Sequence, residues 1–260
     1  MLGRLLAPVA LALSLAVAVV PAAAHATTQA PATGFERRVE RIGTSADGRP
    51  ITVTVRGRRD ADVDVLVVGV IHGNENAGVP VVRVLERALP PRRVRYWTIR
   101  ELNVDGARRG TRQNARGVDL NRNFPGSWRG GGRPFDTYYP GPRAASEPET
   151  RALVSLVQRV RPDVSIWYHQ HANMVIRPDG AWRQDLARTY ERASGLAMRR
   201  YPDTGLRGTA ASWQQGALPR SLALVIELPA GRLPDGSVSR HAQAVERTAV
   251  AAAFDAVRSP

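Results

Sequence analysis

Cysteine is absent from all 260 residues. That excludes disulfides and leaves only His, Asp and Glu to hold any transition metal. Lysine is absent as well, so all 37 basic residues are arginine, and the formal charge is +14. Aromatic residues are few, at 6%, and the arginines are scattered rather than clustered with them. No nucleic-acid partner is therefore expected, since the charge matches an alanine- and arginine-rich, GC-biased composition. A loose attraction to anionic wall polymers is what the net charge still allows. Long apolar runs are missing after residue 26, because Arg or Asp interrupts every later stretch, and no later segment reaches spanning length. What is present in ordinary measure is hydrophobic content, 43%, enough for one sizeable core in a chain of this length.

The first 26 residues read as a secretory signal. Arg4 precedes the run LLAPVALALSLAVAVV, and Ala24-His25-Ala26 fits a small-x-small cleavage site. An uncleaved anchor is the other reading, although Pro8 and Pro21 and the short run disfavour it. Cleavage would remove Arg4 and leave 14 − 1 = +13. The expected organisation is a signal peptide at 1–26, a linker at 27–34 and one domain at 35–260. The expected location is secreted, extracellular or at the cell wall, with no stable membrane insertion once the signal is gone.

Within the domain, two strand-like runs flank Asp47-Gly48, a dipeptide suited to a tight hairpin. Strand and helix patterns then alternate. Strands are expected at 64–70, 93–100, 163–169 and 221–228. Helices are expected at 77–89, 146–160, 185–200 and 240–257. Pro80 is tolerable because it lies in a first helical turn, and Ser146 with Glu149 has the spacing of a capping box. Alternation of this kind predicts an α/β fold, a single domain with a mixed, largely parallel sheet and helices on both faces. The stretch 100–145, rich in Gly, Arg and Asn, has no clear periodicity, and connections of that length are usually functional or disordered.

Three strands end in titratable groups: VVGVIHGNE, VSIWYHQH and LALVIELP. A lone His or Glu buried there is costly unless it is paired or bound to a cation. In open α/β sheets, ligands sit beyond the carboxyl ends of the strands. Two imidazoles and a carboxylate describe a catalytic zinc site, and a further glutamate could take a proton from water. Between these strands lies TRQNARGVDLNRNFPG, where Asn121, Arg122 and Asn123 exceed what a charged surface needs. Arginine can hold a carboxylate with two parallel hydrogen bonds, and Arg112 could stabilise an oxyanion.

HGNE, TR, GVDLNRNFP, YYPG, SEPET and IELP, in this order, resemble the signatures of the M14 zinc carboxypeptidase family, and among its members most resemble bacterial murein peptide amidases. The resemblance runs from about residue 43 to 231. It implies one zinc ion per chain, with His72, Glu75 and His169 as ligands, His171 being the alternative to His169. It implies Glu227 as general base, Arg112 as the oxyanion-stabilising residue, and Asn121 and Arg122 as the clamp for the substrate carboxylate. The implied substrate is a peptide or muropeptide. Asn103 and Asp105 resemble a family turn, with Val104 where proline is usual, and are read as loop geometry. Tyr201 is the nearest candidate for the family's tyrosine, with a structural role equally open. If Trp213 matches the family's tryptophan, the residue selecting the leaving side chain lies near Ala211. His241, at the head of the last helix, is expected to be a solvated surface residue.

Overall fold

The computed structural model describes residues 34–202 and 205–258. The expected signal peptide, 1–26, and residues 27–33 of the expected linker lie outside the described residues. In chain order the strands are β1 (Phe35–Thr44), β2 (Pro50–Arg58), β3 (Val63–Val68), β4 (Val94–Ile99), β5 (Val164–Gln170), β6 (Met174–Ile176), β7 (Met198–Arg199) and β8 (Leu222–Leu228). The helices are α1 (Gly78–Arg87), α2 (Val104–Arg109), α3 (Pro148–Val160), α4 (Ala181–Ser194), α5 (Ala210–Ala217) and α6 (Asp235–Arg258), with a 3-10 turn at Leu120–Arg122. No helix among the described residues is long and apolar enough to cross a membrane.

All eight strands form one sheet in the order β1-β2-β4-β3-β5-β8-β6-β7. Its centre is parallel, with β3 paired to β4 and β5, and β5 to β8. The margins are antiparallel where β1 meets β2, β2 meets β4 and β6 meets β8. The expected mixed, largely parallel sheet is what forms.

Strand parity divides the core. Val164, Ile166 and Tyr168 of β5 pack with Leu222, Leu224 and Ile226 of β8 against α1, α4 and α6. Trp167 of β5 and Ala223 of β8 face the opposite way, toward Leu153 and Leu156 of α3 and Trp213 of α5. Side chains alternate across a strand, so His169 and Glu227 share the α3/α5 side with Trp167 and Ala223. Burial of a full-sized aliphatic or aromatic side chain contributes about 1.5–3 kcal/mol, so each layer fixes the register of the strands between them.

Several local expectations are corrected. Ser146 and Glu149 do not form a capping box: Glu147 occupies the cap position of α3 with no side-chain cap bond. Ser146 Oγ instead donates to Glu147 Oε1 at 2.7 Å, and Glu149 Oε1 accepts from the Ala46 amide at 2.9 Å. The helix expected at 185–200 begins and ends earlier, as α4. It stops where Gly195 takes φ of 78°, a left-handed conformation that costs glycine little. Within the stretch 100–145, α2 is capped by Asn103, whose side chain accepts from the Gly106 amide. Asp105 accepts from Ser45 Oγ at 3.0 Å and from the Asp47 amide at 2.9 Å, tying this segment to the β1–β2 turn.

Candidate metal centre and active site

After β3 the chain leaves the sheet through Val70 and Ile71 and reaches His72. Gly73 is required by a close approach, because a Cβ there would lie 2.0 Å from the Gly106 carbonyl carbon. The Gly73 amide donates to Arg112 O at 3.2 Å, and the Glu75 amide to His72 O at 3.0 Å. This turn aims the His72 and Glu75 side chains at one point. β5 delivers His169 to the same point from the neighbouring strand, and β8 sets Glu227 directly beside His169 in register.

His72 Nδ1 lies 2.9 Å from Glu75 Oε1, His169 Nδ1 lies 3.0 Å from Glu75 Oε2, and the two Nδ1 atoms are 3.2 Å apart. All three residues are buried. Their other polar atoms are held from behind. His72 Nε2 meets Asp119 Oδ1 at 2.9 Å, and Gln170 N donates to Glu75 Oε2 at 3.1 Å. His169 Nε2 faces Asn121 Nδ2 at 3.4 Å, the outer limit of a hydrogen bond. Asn121 Oδ1 is engaged by the Ala210 amide at 2.9 Å, which fixes the amide in that orientation.

The protons available to the cluster leave a place for a cation. Asp119 Oδ1 only accepts, so His72 Nε2 carries the proton of that contact and Nδ1 offers a lone pair. Glu75 Oε1 also offers lone pairs, and two such faces at 2.9 Å repel unless a proton or a cation lies between them. Two imidazole nitrogens and one carboxylate are a donor set that suits zinc. The residues fit the ion. Without a cation, a second proton on His72 serves the same end. Burial pushes its pKa down, but the charge and hydrogen bond of Asp119, then those of Glu75, overcome this and leave it raised. Burial likewise opposes ionisation of Glu75, yet hydrogen bonds from His169 and His72 and their charges hold its carboxyl well below the usual range.

Asp119 is the residue that the sequence reading missed. It is fully buried, and it accepts from His72 Nε2, from the Asn121 amide at 2.9 Å, and from Arg112 Nε and Nη2 at 3.1 and 2.9 Å. Burial favours its protonated form, but the charge and hydrogen bond of His72, then the charges of Arg112 and Arg122, keep it ionised well below the ordinary range. The residue lies inside GVDLNRNFP. Its place in a polar motif was a signal, but nothing in the chain named His72, 47 residues earlier, as its partner.

Arg112 also donates through Nη1 to Glu75 Oε1 at 3.0 Å. Arg122 is buried, with Nη1 on Asn121 O and with Nε 4.0 Å from Asp119 Oδ2 and lacking a hydrogen-bond partner among the described residues. Burial lowers its pKa, partly offset by Asp119. Tyr138, not singled out in the sequence, lies beneath both guanidinium groups, 5.5 Å from that of Arg112 and 5.2 Å from that of Arg122. A cavity of about 640 Å³ opens over the cluster and brings together Arg112, Arg122, Asn121, His169 and Glu227. Tyr201 and Ala211 line the same cavity, whereas Trp213 is buried against Phe124 at 5.5 Å between centroids. His171 is exposed on the rim, outside the three-residue cluster.

His241 departs from expectation. It is not a solvated surface residue but is 3% exposed, and its Nδ1 lies 2.9 Å from Tyr190 Oη, which in turn lies 3.1 Å from Tyr168 Oη. Burial, then the charge of Arg240, pushes its pKa down to about 4. The reason is its position on the apolar stripe of α6, between buried Val238 and Val245.

The sequence profile described as Zinc carboxypeptidase, Peptidase_M14, matches residues 92–233, more than half of the chain. The chain belongs to the zinc carboxypeptidase family. Within that family it is 32% identical over 150 residues to murein peptide amidase A of Escherichia coli K12, a match covering 52% of this chain and 60% of that relative. Its fold matches the crystal structure of a murein-tripeptide amidase from Escherichia coli O157 with a TM-score of 0.65 at 26% identity, covering 88% of this chain and 95% of the other. It also matches a zinc carboxypeptidase fold from Helicoverpa armigera, carboxypeptidase A, with a TM-score of 0.68, over 84% of this chain and 69% of that one; at 19% identity this is a likeness of fold alone. His72 and Glu75 precede the profile match, and the sheet brings them to the matched residues His169 and Glu227.

Proposed function

We propose that the protein is an exported zinc-dependent hydrolase of peptide bonds that acts on murein peptides, cleaving the amide between γ-D-glutamate and a diamino acid that bears a free carboxylate. The observation that carries this reading is the convergence of His72, Glu75 and His169 at one end of a cavity that also holds Glu227 and an incompletely bonded Arg122. The murein peptide amidases among the similar proteins support the choice of substrate. The composition of residues 1–26 supports export.

In this reading His72 Nδ1, a Glu75 oxygen and a ring nitrogen of His169 would hold the ion. Zinc supplies Lewis-acid chemistry, acidifying water and polarising a carbonyl oxygen. Asp119 holds the proton of His72 on Nε2, which leaves Nδ1 free as a ligand. The Glu227 carboxylate accepts the proton of the attacking water as its oxygen bonds to the carbonyl carbon, and returns a proton to the leaving nitrogen as the C–N bond breaks. One water and one amide thus give one carboxylate and one amine. The Arg112 guanidinium, clamped on Asp119, faces the cavity with a fixed positive charge for the developing oxyanion. The Arg122 guanidinium, which lines the cavity, and the Asn121 amide bind the carboxylate of the leaving residue and so orient the scissile bond.

The test is cleavage of two substrates by the purified protein, with zinc and with a chelator. One is a muropeptide tripeptide ending in γ-D-glutamyl-diaminopimelate, the other an all-L peptide with a free C-terminus. Chelator-sensitive release of diaminopimelate alone is the expected result. Release of the ordinary C-terminal residue instead would make the protein a general metallocarboxypeptidase. Silence on both with zinc bound would make it a binding relic of the fold.

A further inference from the structure

The cavity extends away from Glu227 along the antiparallel pair β8 and β6. Glu227, Val225 and Ala223 line one wall in succession, because alternate residues of a strand share a face. β6 runs the opposite way beside them, with Met174 opposite Glu227 and Val175 opposite Ile226. The chain that leaves β6 therefore travels away from the glutamate, and Arg177 and Asp179 line the same cavity farther along. At about 3.3 Å per extended residue, Arg177 sits roughly 10 Å beyond the level of Glu227.

Both side chains are exposed, and neither makes a hydrogen bond or an ion pair with any described residue. Arg112 and Arg122, by contrast, are bound up with Asp119, Glu75 and Tyr138. A recess meant for an aliphatic side chain needs no charge, and one meant for a basic side chain needs only an acid. Here the nearer wall is small and apolar, through Ala211, Val225 and Ala223, and the far part carries one charge of each sign. That arrangement suits a side chain that is aliphatic along its length and ends in an ammonium and a carboxylate on one carbon.

We propose that Arg177 and Asp179 determine specificity by reading the zwitterionic far end of the leaving diamino diacid, Arg177 its carboxylate and Asp179 its ammonium. The inference rests on the murein-peptide reading above and names what selects the leaving residue. The dimensions agree. The five carbons linking the two ends of a diaminopimelate span about 5 Å, four bonds at about 1.25 Å of rise each in an extended chain. The flexible Arg177 side chain covers the remaining distance. An arginine also matches a carboxylate through two parallel hydrogen bonds.

The experiment compares kcat/KM for three γ-D-glutamyl dipeptides in the wild type and in Arg177→Gln and Asp179→Asn. The leaving residues are meso-diaminopimelate, lysine, which lacks the far carboxylate, and 2-aminopimelate, which lacks the far amine. The wild type is expected to prefer diaminopimelate to either analogue by about tenfold, the worth of one charge-assisted hydrogen bond. Arg177→Gln is expected to collapse the diaminopimelate-to-lysine ratio and spare the diaminopimelate-to-aminopimelate ratio. Asp179→Asn should do the reverse. Because each variant is read as a ratio, a general loss of folded protein cannot imitate the result. If diaminopimelate is released and both ratios survive both substitutions, the inference is wrong while the murein reading stands. If the wild type cleaves no γ-D-glutamyl peptide but trims ordinary C-termini, the substrate reading fails first and the inference falls with it.

Discussion

Tyr168 and His169 are neighbours on one strand and point to opposite faces of the sheet, and each enters a buried hydrogen-bonded cluster containing a histidine. Behind the sheet, Tyr168, Tyr190 and His241 form a chain in which two hydroxyl protons serve a neutral imidazole. In front, His169 meets Glu75 and His72, and His72 is gripped from behind by Asp119. The first cluster has protons enough for its acceptors and is complete as it stands. The second has two carboxylates around two imidazoles, and completes itself only by taking up a proton or a cation. A buried histidine is thus distinguished by what faces its second nitrogen, not by its burial.

That contrast is broken most severely at the proposed metal ligands. His72→Ala is expected to lose stoichiometric zinc and all measurable turnover, whereas His241→Gln should retain both; elemental analysis of the purified proteins checks it. Retention of full zinc by His72→Ala would remove the proposed centre. Next in size is Glu227→Gln, which keeps the ligand set intact. Zinc content should be unchanged while kcat falls by about 10³-fold, the usual weight of a general base. A variant that binds zinc and still turns over at near the original rate would take that role from Glu227.

The rear cluster predicts a pH effect on stability. The His241 pKa is pushed down to about 4 from 6.5, and the groups around it are Tyr190, the Tyr168 ring and Arg240. Between these values the unfolded chain binds a proton that the folded chain refuses. Its contribution is therefore fully present above pH 6.5 and is lost as pH falls toward 4, for a total of about 3 kcal/mol. Denaturant unfolding at a series of pH values should show this slope in the wild type and a flatter one in His241→Gln. Parallel slopes would mean that the imidazole takes its proton as easily in the folded chain as in the unfolded one.

The two clusters were unequally legible in the sequence. His169 and Glu227 could be placed because each ends an apolar run whose period and length announce a strand, and His72 because VVGVI stops at it. The parallel direction of their strands follows from alternation with helices, whereas the adjacency of β3, β5 and β8 and the common side of His169 and Glu227 come from the pairing register. The short elements were not legible: β6 and β7 hold three and two residues, too few for a period, and their place in the sheet depends on β8. His241 was misread although a signal existed. It lies three residues after Val238 and four before Val245, within a buried stripe continued by Ala249 and Ala252, so helical spacing already placed it inward. Asp119 was hidden for another reason, since a carboxylate in a polar loop discloses its charge but not its distant partner.

Asp119 therefore offers the smallest and most discriminating change. In Asp119→Asn the amide oxygen can keep the Arg112 contacts of Oδ2, which leaves the NH2 on the side where Oδ1 met both His72 Nε2 and the Asn121 backbone. What changes is the side facing His72. The amide is neutral, and it can turn its NH2 toward Nε2, which would favour the tautomer with the proton on Nδ1, the nitrogen that must otherwise meet the metal. A hydrogen-bonded carboxylate behind a ligating histidine typically accounts for about 10- to 100-fold in metal affinity. Competition titration with a chromogenic chelator should show zinc affinity weaker by that factor, with turnover largely restored once zinc is saturating. Unchanged affinity would mean that His72 is oriented by its backbone turn alone. Loss of turnover that saturating zinc does not restore would place the weight of Asp119 on the Arg112 guanidinium, where it also makes two contacts.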